Sequence, residues 1–245
     1  MTSATPGYVD LHCHYIAAVD DGVRTEEEGA RLCQELAKIG YVRVVATPHM
    51  RSDMFDNEKA ALIAAFEGFA ARHAQLPGMP ELGIGAEHFC DDAFFERFER
   101  GETIAYPGGR AALVELPSEH VPVRIEQRLY RMFLKGVRPV LAHPERNNGL
   151  FKTTAPIQRL LEMGALPLLD VMSLVGKYGR IPRKTAERML EEDIYFAACS
   201  DSHKPQDVAS VAEGIERLHK LVGREHADTL LGENPRRILE GTFDS

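Results

Sequence analysis

Short runs of β-branched and aliphatic residues alternate with amphipathic segments along the chain. This alternation is the sequence feature that most restricts the possible fold. At several junctions a glycine ends the amphipathic segment and an apolar run follows, as in KIG-YVRVV, LKG-VRPVL and EMG-ALPLL. Glycine commonly terminates helices, so each junction indicates a helix followed by a parallel strand. The predicted strands are Tyr8–His12, Val42–Thr47, Glu81–Ala86, Ala111–Leu116, Val137–Ala142, Ala165–Val171 and Ile194–Cys199.

The segments between these strands have helical spacing. Thr25 and Glu28 are spaced as a capping box, and Gly40 supplies the stop signal for the first helix. Strands that alternate with helices, without hairpins, predict a parallel sheet with right-handed crossovers, either open and doubly wound or closed into a barrel. The predicted helices are Thr25–Ile39, Asn57–Gln75, Val123–Lys135, Thr154–Met163, Arg183–Glu192, Pro205–Leu221 and Pro235–Glu240.

Length and composition limit the class of protein. A chain of 245 residues fits one α/β barrel, and no break in composition marks a boundary, so a single domain over residues 1–245 is predicted. The net charge of −8 argues against a nucleic-acid-binding surface. Without a leader-like N-terminus, an apolar run of ~18 residues or a C-x-x-C pair, the chain is expected to be soluble, cytoplasmic and not inserted in a membrane, with its four cysteines as free thiols.

Potential metal ligands fall at the C-terminal ends of the predicted strands. Parallel strands bring these ends to one face, where such folds place their active sites. The first strand ends in D-L-H-C-H, where period-two spacing directs both histidines to one face, and the segment after the last strand repeats this spacing in D-S-H. The candidate ligands are His12, His14, His49, Glu87, Glu115, His143, Asp201 and His203, with Asp20 or Asp21 from the loop after the first strand.

Burying so many imidazoles and carboxylates together is unfavourable unless something compensates them. Metal coordination would do so, and mixed nitrogen and oxygen ligands suit Zn, Mn or Fe better than Mg or Ca alone. Two or three metals are needed to use the whole set. The remaining histidines do not follow the strand-end pattern and are not predicted as ligands: His73, His88, His120, His219 and His226.

Two arginines are candidates for binding substrate phosphate. Arg146 follows His143 in H-P-E-R, and a guanidinium matches a phosphate group bidentately. Arg51, in P-H-M-R, is the weaker candidate, with a surface ion pair as the alternative. Glu145 is interpreted as a structural partner of the site.

Other catalytic classes lack their sequence signatures. A cysteine-dependent phosphatase needs C-x5-R, but the residues six beyond the four cysteines are Val19, Ile39, Glu96 and Pro205. The nucleophile motif G-x-S-x-G is absent, which argues against a serine hydrolase. Neither a P-loop nor G-x-G-x-x-G is present, so nucleotide binding is not indicated.

Taken in order, these motifs resemble the PHP (polymerase and histidinol phosphatase) family. H-x-H, D-D-G, P-H, G-x-E, L-V-E-x-P, H-P-E-R-N and S-D-x-H occur between Val9 and about His203. They are most similar to the CpsB/YwqE-like tyrosine phosphatases of capsule and exopolysaccharide operons, and Glu115, where other PHP enzymes often have histidine, is a mark of that branch. The resemblance implies a distorted (βα)7 TIM-like barrel with its metal site at the C-terminal strand ends.

The resemblance also implies a centre of three divalent metals, expected to be Mn²⁺, with Fe or Zn as alternatives. His12, His14, Glu87 and Asp201 would hold one metal, and Glu87 would bridge. The other two would be completed by His49, Glu115, His143, His203 and the loop aspartate, for which Asp21, directly before Gly22, is the closer match. The role of the loop S-L-V-G-K-Y-G, Ser173–Gly179, does not follow from the sequence.

The implied reaction is metal-dependent hydrolysis of phosphotyrosine in a protein, by attack of a metal-bridging hydroxide. Arg146 would neutralise phosphoryl oxygens, and either Asp201 or a metal-bound water would protonate the leaving group. The implied partner is a tyrosine kinase of polysaccharide synthesis; the oligomeric state is not predicted. The alternatives are a PHP phosphatase for a small phosphomonoester such as histidinol phosphate, an amidohydrolase, and a catalytically silent metal-binding regulatory protein.

Overall fold

All seven predicted strands are present in the computed structural model, which describes residues 7–243. Two additional short strands continue the second and third of them. Residues 1–6, part of the N-terminus predicted to carry no leader, and residues 244–245 lie outside the described range. The strands are β1 (Tyr8–Cys13), β2 (Tyr41–Ala46), β3 (His49–Met50), β4 (Glu81–Ile84), β5 (Glu87–Phe89), β6 (Ala111–Glu115), β7 (Arg138–Ala142), β8 (Leu166–Asp170) and β9 (Ala197–Cys199).

All strand pairings between these strands are parallel, in the orders β1-β2-β4 and β3-β5-β6-β7-β8-β9. Pro48 lies in the break between β2 and β3, where a residue without an N–H costs no ladder bond. The ladder continues across the breaks, because Gly85 donates to the Ala46 carbonyl and Glu87 donates to the Pro48 carbonyl. The nine strands therefore occupy seven positions.

The first and last positions join and close the sheet. The His14 N–H donates to the Ser202 carbonyl and the Asp201 N–H donates to the His12 carbonyl, each at 2.9 Å. Beside them, the buried Asp10 carboxylate accepts from the Ser200 hydroxyl at 2.5 Å and from the Ser200 N–H at 3.0 Å. These bonds produce a closed seven-position barrel and confirm the distorted barrel that the family resemblance implied.

Six helices lie between strands in the described sequence and three, α7 to α9, follow the last strand. Two of the nine, α3 and α8, were not predicted. α6 also begins three residues before the predicted Arg183, because Pro182 is tolerated in a first turn. The Thr25 hydroxyl caps α1 by accepting from the Glu28 N–H, as predicted. Among residues 7–243, no helix is both long and apolar enough to cross a membrane. The helices are α1 (Glu26–Lys38), α2 (Lys59–His73), α3 (Asp92–Arg100), α4 (Ile125–Leu134), α5 (Ala155–Glu162), α6 (Arg180–Glu191), α7 (Val208–Val222), α8 (Arg224–Asp228) and α9 (Asn234–Glu240).

Apolar side chains fill the barrel below the strand ends. One buried cluster joins alternate residues of the strands to α9 and includes Leu113, Leu168 and Cys199. The intervening strand residues belong to a second cluster, which includes side chains of the surrounding helices. Because side chains alternate along a strand, the next inward positions are Glu115, Asp170 and Asp201, each two residues farther along. The interior therefore changes from apolar to acidic at the C-terminal ends of the strands.

Candidate metal centre

The nine predicted ligands, with Asp21 as the loop aspartate, converge at the C-terminal end of the barrel. Within residues 7–243 they form four overlapping groups, and in each group the potential ligand atoms lie within 4.8 Å of one another. His12, His14, His49 and Glu87 each belong to two groups, so the groups form one continuous cluster. The groups are His14, Asp21, His49 and His203; His12, His14 and Glu87; His12, His143 and Asp201; and His49, Glu87 and Glu115.

Glu87 connects most of this cluster. Its Oε2 lies 3.1 Å from His12 Nε2 and 3.0 Å from His49 Nδ1, and its Oε1 lies 3.0 Å from His143 Nε2. Burial by itself raises the pKa of Glu87, but His12 and His49 outweigh burial and hold this pKa well below 4.5. The carboxylate is therefore ionised at neutral pH. Pairing of His49 with Glu87 in the β3–β5 register places the two side chains together.

His12 in β1 and His14 directly after it direct their side chains to the same cluster. Their Nε2 atoms are 3.2 Å apart, and Asp201 Oδ1 lies 3.2 Å from His12 Nε2 and 3.4 Å from His14 Nε2. Pairing of β1 with β2 shifts register between Asp10 and Cys13. This irregularity allows the adjacent Leu11 to pack in the barrel interior while His12 faces the cluster.

The two loop aspartates have different positions. Asp21 Oδ1 lies 3.5 Å from both His49 Nε2 and His203 Nε2. Asp20 instead lies behind the cluster, where its Oδ2 is 2.8 Å from His14 Nδ1 and accepts from the His49 N–H. A Cβ on Gly22 would lie 2.3 Å from the His14 carbonyl oxygen, so glycine is required for this close approach. Asp21 is thus the aspartate that faces the cluster, and Asp20 orients His14.

Two cluster residues have backbones in the left-handed region. His143 has φ of 30° and Asp201 has φ of 48°, a conformation that costs an L-residue roughly 1–2 kcal/mol. His143 directly follows the end of β7, and Asp201 lies two residues after the end of β9. Such strain is retained where the surrounding structure requires it and is often found at functional sites. At His143 the turn brings inward a side chain that strict alternation would direct outward.

The buried nitrogen and oxygen atoms of the cluster are suited to coordinate a cation. Hydrogen bonds of acceptable geometry are missing, within the described residues, for His49 Nδ1, Glu87 Oε2, Glu115 Oε2 and Asp201 Oδ1. An unsatisfied buried polar atom costs about 1–3 kcal/mol, more if charged. Burial and the neighbouring Glu87 also raise the pKa of Glu115 to about 7. Imidazole nitrogen and carboxylate oxygen are the kinds of ligand that divalent transition metals take in proteins.

Arg146 lies at the edge of the cluster. Its Nη1 donates to Asp201 Oδ2 at 2.6 Å and lies 3.5 Å from Asp170 Oδ2. The guanidinium carbon is 4.4 Å from the centre of the Tyr178 ring. The side chain is about one quarter exposed, so a substrate can reach it. Arg51, the weaker candidate, stacks on the Phe89 ring, with its guanidinium carbon 4.0 Å from the ring centre.

Sequence reasoning missed the residues that hold Arg146. Asp170 ends β8, the strand to which no ligand was assigned, and the strand-end rule applied to that strand would have found it. Tyr178, whose hydroxyl hydrogen-bonds Asp170, lies in the loop whose role did not follow from the sequence. Glu145 has the structural position expected of it, because its carboxylate accepts from the Asp170 N–H, the Ser173 hydroxyl and the Tyr195 hydroxyl.

Residues outside the predicted site also take their expected positions. The His88 ring bonds to the Leu113 carbonyl and the Ile104 N–H, and burial lowers the pKa of His88 to about 4. His88 thus points away from the cluster although it follows Glu87. The four cysteines are buried free thiols, as predicted. Burial raises the pKa of Cys90 to about 12, which disfavours a reactive thiolate there.

Comparison with known proteins gives consistent matches over nearly the whole chain. A family model described as "Capsular polysaccharide synthesis, CpsB/CapC" matches residues 8–240. The tyrosine-protein phosphatase YwqE of Bacillus subtilis (strain 168) is 30% identical over 239 residues, which cover 94% of this chain and 91% of YwqE. The tyrosine-protein phosphatase CpsB of Streptococcus pneumoniae is 26% identical over 238 residues, covering 94% of this chain and 98% of CpsB.

Solved structures give the same result. One from work on B. subtilis YwqE and S. pneumoniae CpsB, described as metal-dependent tyrosine phosphatases, superposes with a TM-score of 0.86 at 27% identity and covers 94% of each chain. The phosphotriesterase homology protein of Escherichia coli superposes with a TM-score of 0.60 at 14% identity, covering 96% of this chain and 99% of that one. The second match shows a shared fold alone.

Proposed function

This chain belongs to the CpsB/CapC family of capsular polysaccharide synthesis proteins, and we propose that it is a metal-dependent protein-tyrosine phosphatase of polysaccharide synthesis. The convergence of nine histidine and carboxylate side chains at the strand ends carries this proposal, because it provides the donor set that such an enzyme requires. The names of YwqE and CpsB, tyrosine-protein phosphatases that align with nearly the whole chain, support the substrate class.

In this proposal the cluster holds three divalent metals, with Mn²⁺ the expected ion. His12, His14, Glu87 and Asp201 hold one of them. Glu87 would bridge to a second, in keeping with its contacts to His12 of β1, His49 of β3 and His143, which directly follows β7. The ligands that complete the other two metals are His49, Glu115, His143, His203 and Asp21.

When bound, divalent metals supply a nucleophilic water at neutral pH and neutralise the phosphoryl oxygens. The protein supplies the geometry around them. Asp20 fixes the His14 ring through Nδ1, which leaves Nε2 to face the cluster. Arg146 presents its guanidinium fork to a phosphoryl group, and Arg51 is a second candidate contact. Asp170 and Tyr178 orient Arg146. Burial by itself raises the pKa of Asp201, but His12 and Arg146 outweigh burial and hold this pKa well below 3.8, so Asp201 carries no proton at neutral pH. The other candidate, a water bound in the site, would protonate the tyrosine leaving group.

The decisive experiment compares a phosphotyrosyl peptide with histidinol phosphate, each assayed with Mn(II). Turnover of the peptide at a kcat/KM well above that for histidinol phosphate is the expected result. The reverse preference would identify a small-molecule phosphatase. Absence of turnover on both, in protein shown by elemental analysis to contain metal, would identify a catalytically silent metal-binding protein. Either of these two results would refute the proposal.

Substituting Arg146 by alanine should weaken substrate capture more than the chemical step. A charge-assisted bidentate contact contributes about 1.5–3 kcal/mol, so KM for the peptide should rise by about tenfold or more, with a smaller fall in kcat. Steady-state kinetics measure both parameters. Arg183→Ala is the matched control, because Arg183 is exposed and pairs with Glu187. Unchanged kcat and KM in Arg146→Ala would contradict the phosphate-binding role.

We further propose that residues 1–245 form one phosphatase domain. Its protein substrate in this proposal is a phosphorylated tyrosine kinase of polysaccharide synthesis, in keeping with the family to which the chain belongs. Four buried, unpaired cysteines fit the reducing conditions of the cytoplasm, which is the proposed location.

A further inference from the structure

A surface groove begins at Arg146 and leads away from the metal cluster. It has a volume of about 520 Å³ and is bordered by Ser118 and by the segment from Tyr178 to Pro182 at the start of α6. Ser118 and Arg146 also border the small cavity beside Glu115 and His143. The groove therefore lies beside the proposed catalytic site and shares these two residues with it.

The charge of this groove is opposite to that of the protein. Among residues 7–243, two guanidinium groups line the groove, those of Arg146 and Arg180, and no acidic residue does, although the chain has a net charge of −8. Within residues 7–243 the Arg180 side chain has no ion pair or hydrogen bond. One turn later in the same helix, Arg183 is paired with Glu187 at 3.2 Å. Arg180 is thus an exposed cation that can pair with a ligand.

Apolar side chains complete the groove. Ile181 is 56% exposed although it is aliphatic, and Phe151 and Pro182 lie along the same lining. Exposed apolar surface beside a cation suits a polypeptide better than a free phosphate ion. The volume lies in the range of about 300–1,000 Å³ found for ligand sites, so the groove has room for side chains beyond the phosphotyrosine.

We propose that this groove binds the polypeptide that flanks the phosphotyrosine, and that Arg180 pairs with an anionic side chain there, a carboxylate or a second phosphate. This inference rests on the proposed phosphatase function and extends it to sequence preference. Arg146 takes the phosphate that is removed, Ile181 and Phe151 contact flanking side chains, and Arg180 selects for negative charge. Substrates with anionic flanks are preferred, and the preference resides in KM.

The test uses the full chain with Mn(II) and phosphotyrosyl peptides that differ at one flanking position, scanned on both sides. Each position carries Glu, phosphoserine or Gln in turn, and free phosphotyrosine is the substrate without flanks. The variant is Arg180→Ala and the matched control is Arg183→Ala. At the preferred position, Arg180→Ala should lower kcat/KM about three- to fivefold for the Glu peptide and about tenfold for the phosphoserine peptide, mainly through KM. Values for the Gln peptide and free phosphotyrosine should not change.

Several outcomes would overturn the inference. One is an equal loss in Arg180→Ala on every substrate, including free phosphotyrosine, since this would indicate a general effect on the site. Another is a wild-type enzyme that does not distinguish Glu, phosphoserine and Gln at any position while hydrolysing all of them. If wild-type protein loaded with Mn(II) hydrolysed neither the peptides nor free phosphotyrosine, the proposed function itself would fail, and this inference with it.

Discussion

Replacing Glu87 by glutamine is expected to lower kcat/KM for a phosphotyrosyl peptide by at least about a thousandfold. The carboxylate lies within 3.1 Å of His12, His49 and His143, and in the proposed site it bridges two metals. Glutamine keeps the shape but removes the charge, and its amide group would direct N–H donors toward the cluster. A thousandfold decrease corresponds to the loss of about 4 kcal/mol of transition-state charge stabilisation, which is within the range that bound metal ions supply.

Kinetics and metal content should be measured on the same preparations. Elemental analysis after incubation with Mn(II) should show less bound metal in Glu87→Gln than in the wild type. Glu119→Gln is the control, because Glu119 is an exposed carboxylate that bonds Asn148 and belongs to none of the four ligand groups. A Glu87→Gln protein with wild-type activity and metal content would rule out a bridging role for this residue.

Removing bound divalent metal with a chelator should abolish turnover and lower Tm by roughly 5–10 °C. A ligand at a hundred times its Kd stabilises the folded state by about 2.7 kcal/mol. In a chain of this length each kcal/mol shifts Tm by about 2–4 °C. The ion pairs between the histidines and carboxylates should keep the protein folded. Activity should return when Mn(II) is added.

The affinity of the cluster for metal should depend on pH. Burial by itself lowers the pKa of His14, but Asp20 outweighs burial and raises the pKa to about 9. A metal ligand must be a neutral imidazole, so a cation that binds His14 displaces a proton, and the apparent affinity should rise as pH increases toward 9. Titration with Mn(II) at several pH values measures this. Full activity in protein that contains less than about one metal per chain would contradict the polynuclear site.

Much of the site was predictable because its ligands obey strand periodicity. Glu115 and Asp201 continue the inward alternation of their strands, and His12 and His14 share a face, so residue type and position were sufficient. His143 was predicted from its strand end, but only its left-handed backbone explains why it faces inward. The choice between Asp20 and Asp21 depended on the path of a loop, which has no periodicity.

The groove and the contacts of Asp170 and Tyr178 with Arg146 were not predictable, although the strand-end rule would have identified Asp170 as a residue of the site. Asp170 and Tyr178 lie eight positions apart and meet at Arg146 only because the loop after β8 returns across the strand ends. Among residues 7–243 Arg180 has no ion-pair partner while Arg183 has one, a difference that depends on neighbours in space. Helical patterning identified α6 but placed its start after Pro182, and so treated both Arg180 and Ile181 as loop residues.

The sequence by itself determined the parallel βα order, the seven strand positions and the convergence of ligands at one end. These features depend on the periodicity of the backbone, which acts locally and leaves a pattern in the residues. The tertiary structure decided the closure of the barrel through Asp10 and Ser200, the split strands that bring His49 beside Glu87, and the groove that starts at Arg146. Each of these depends on contacts between residues distant in the chain, and such contacts leave no period in a single sequence.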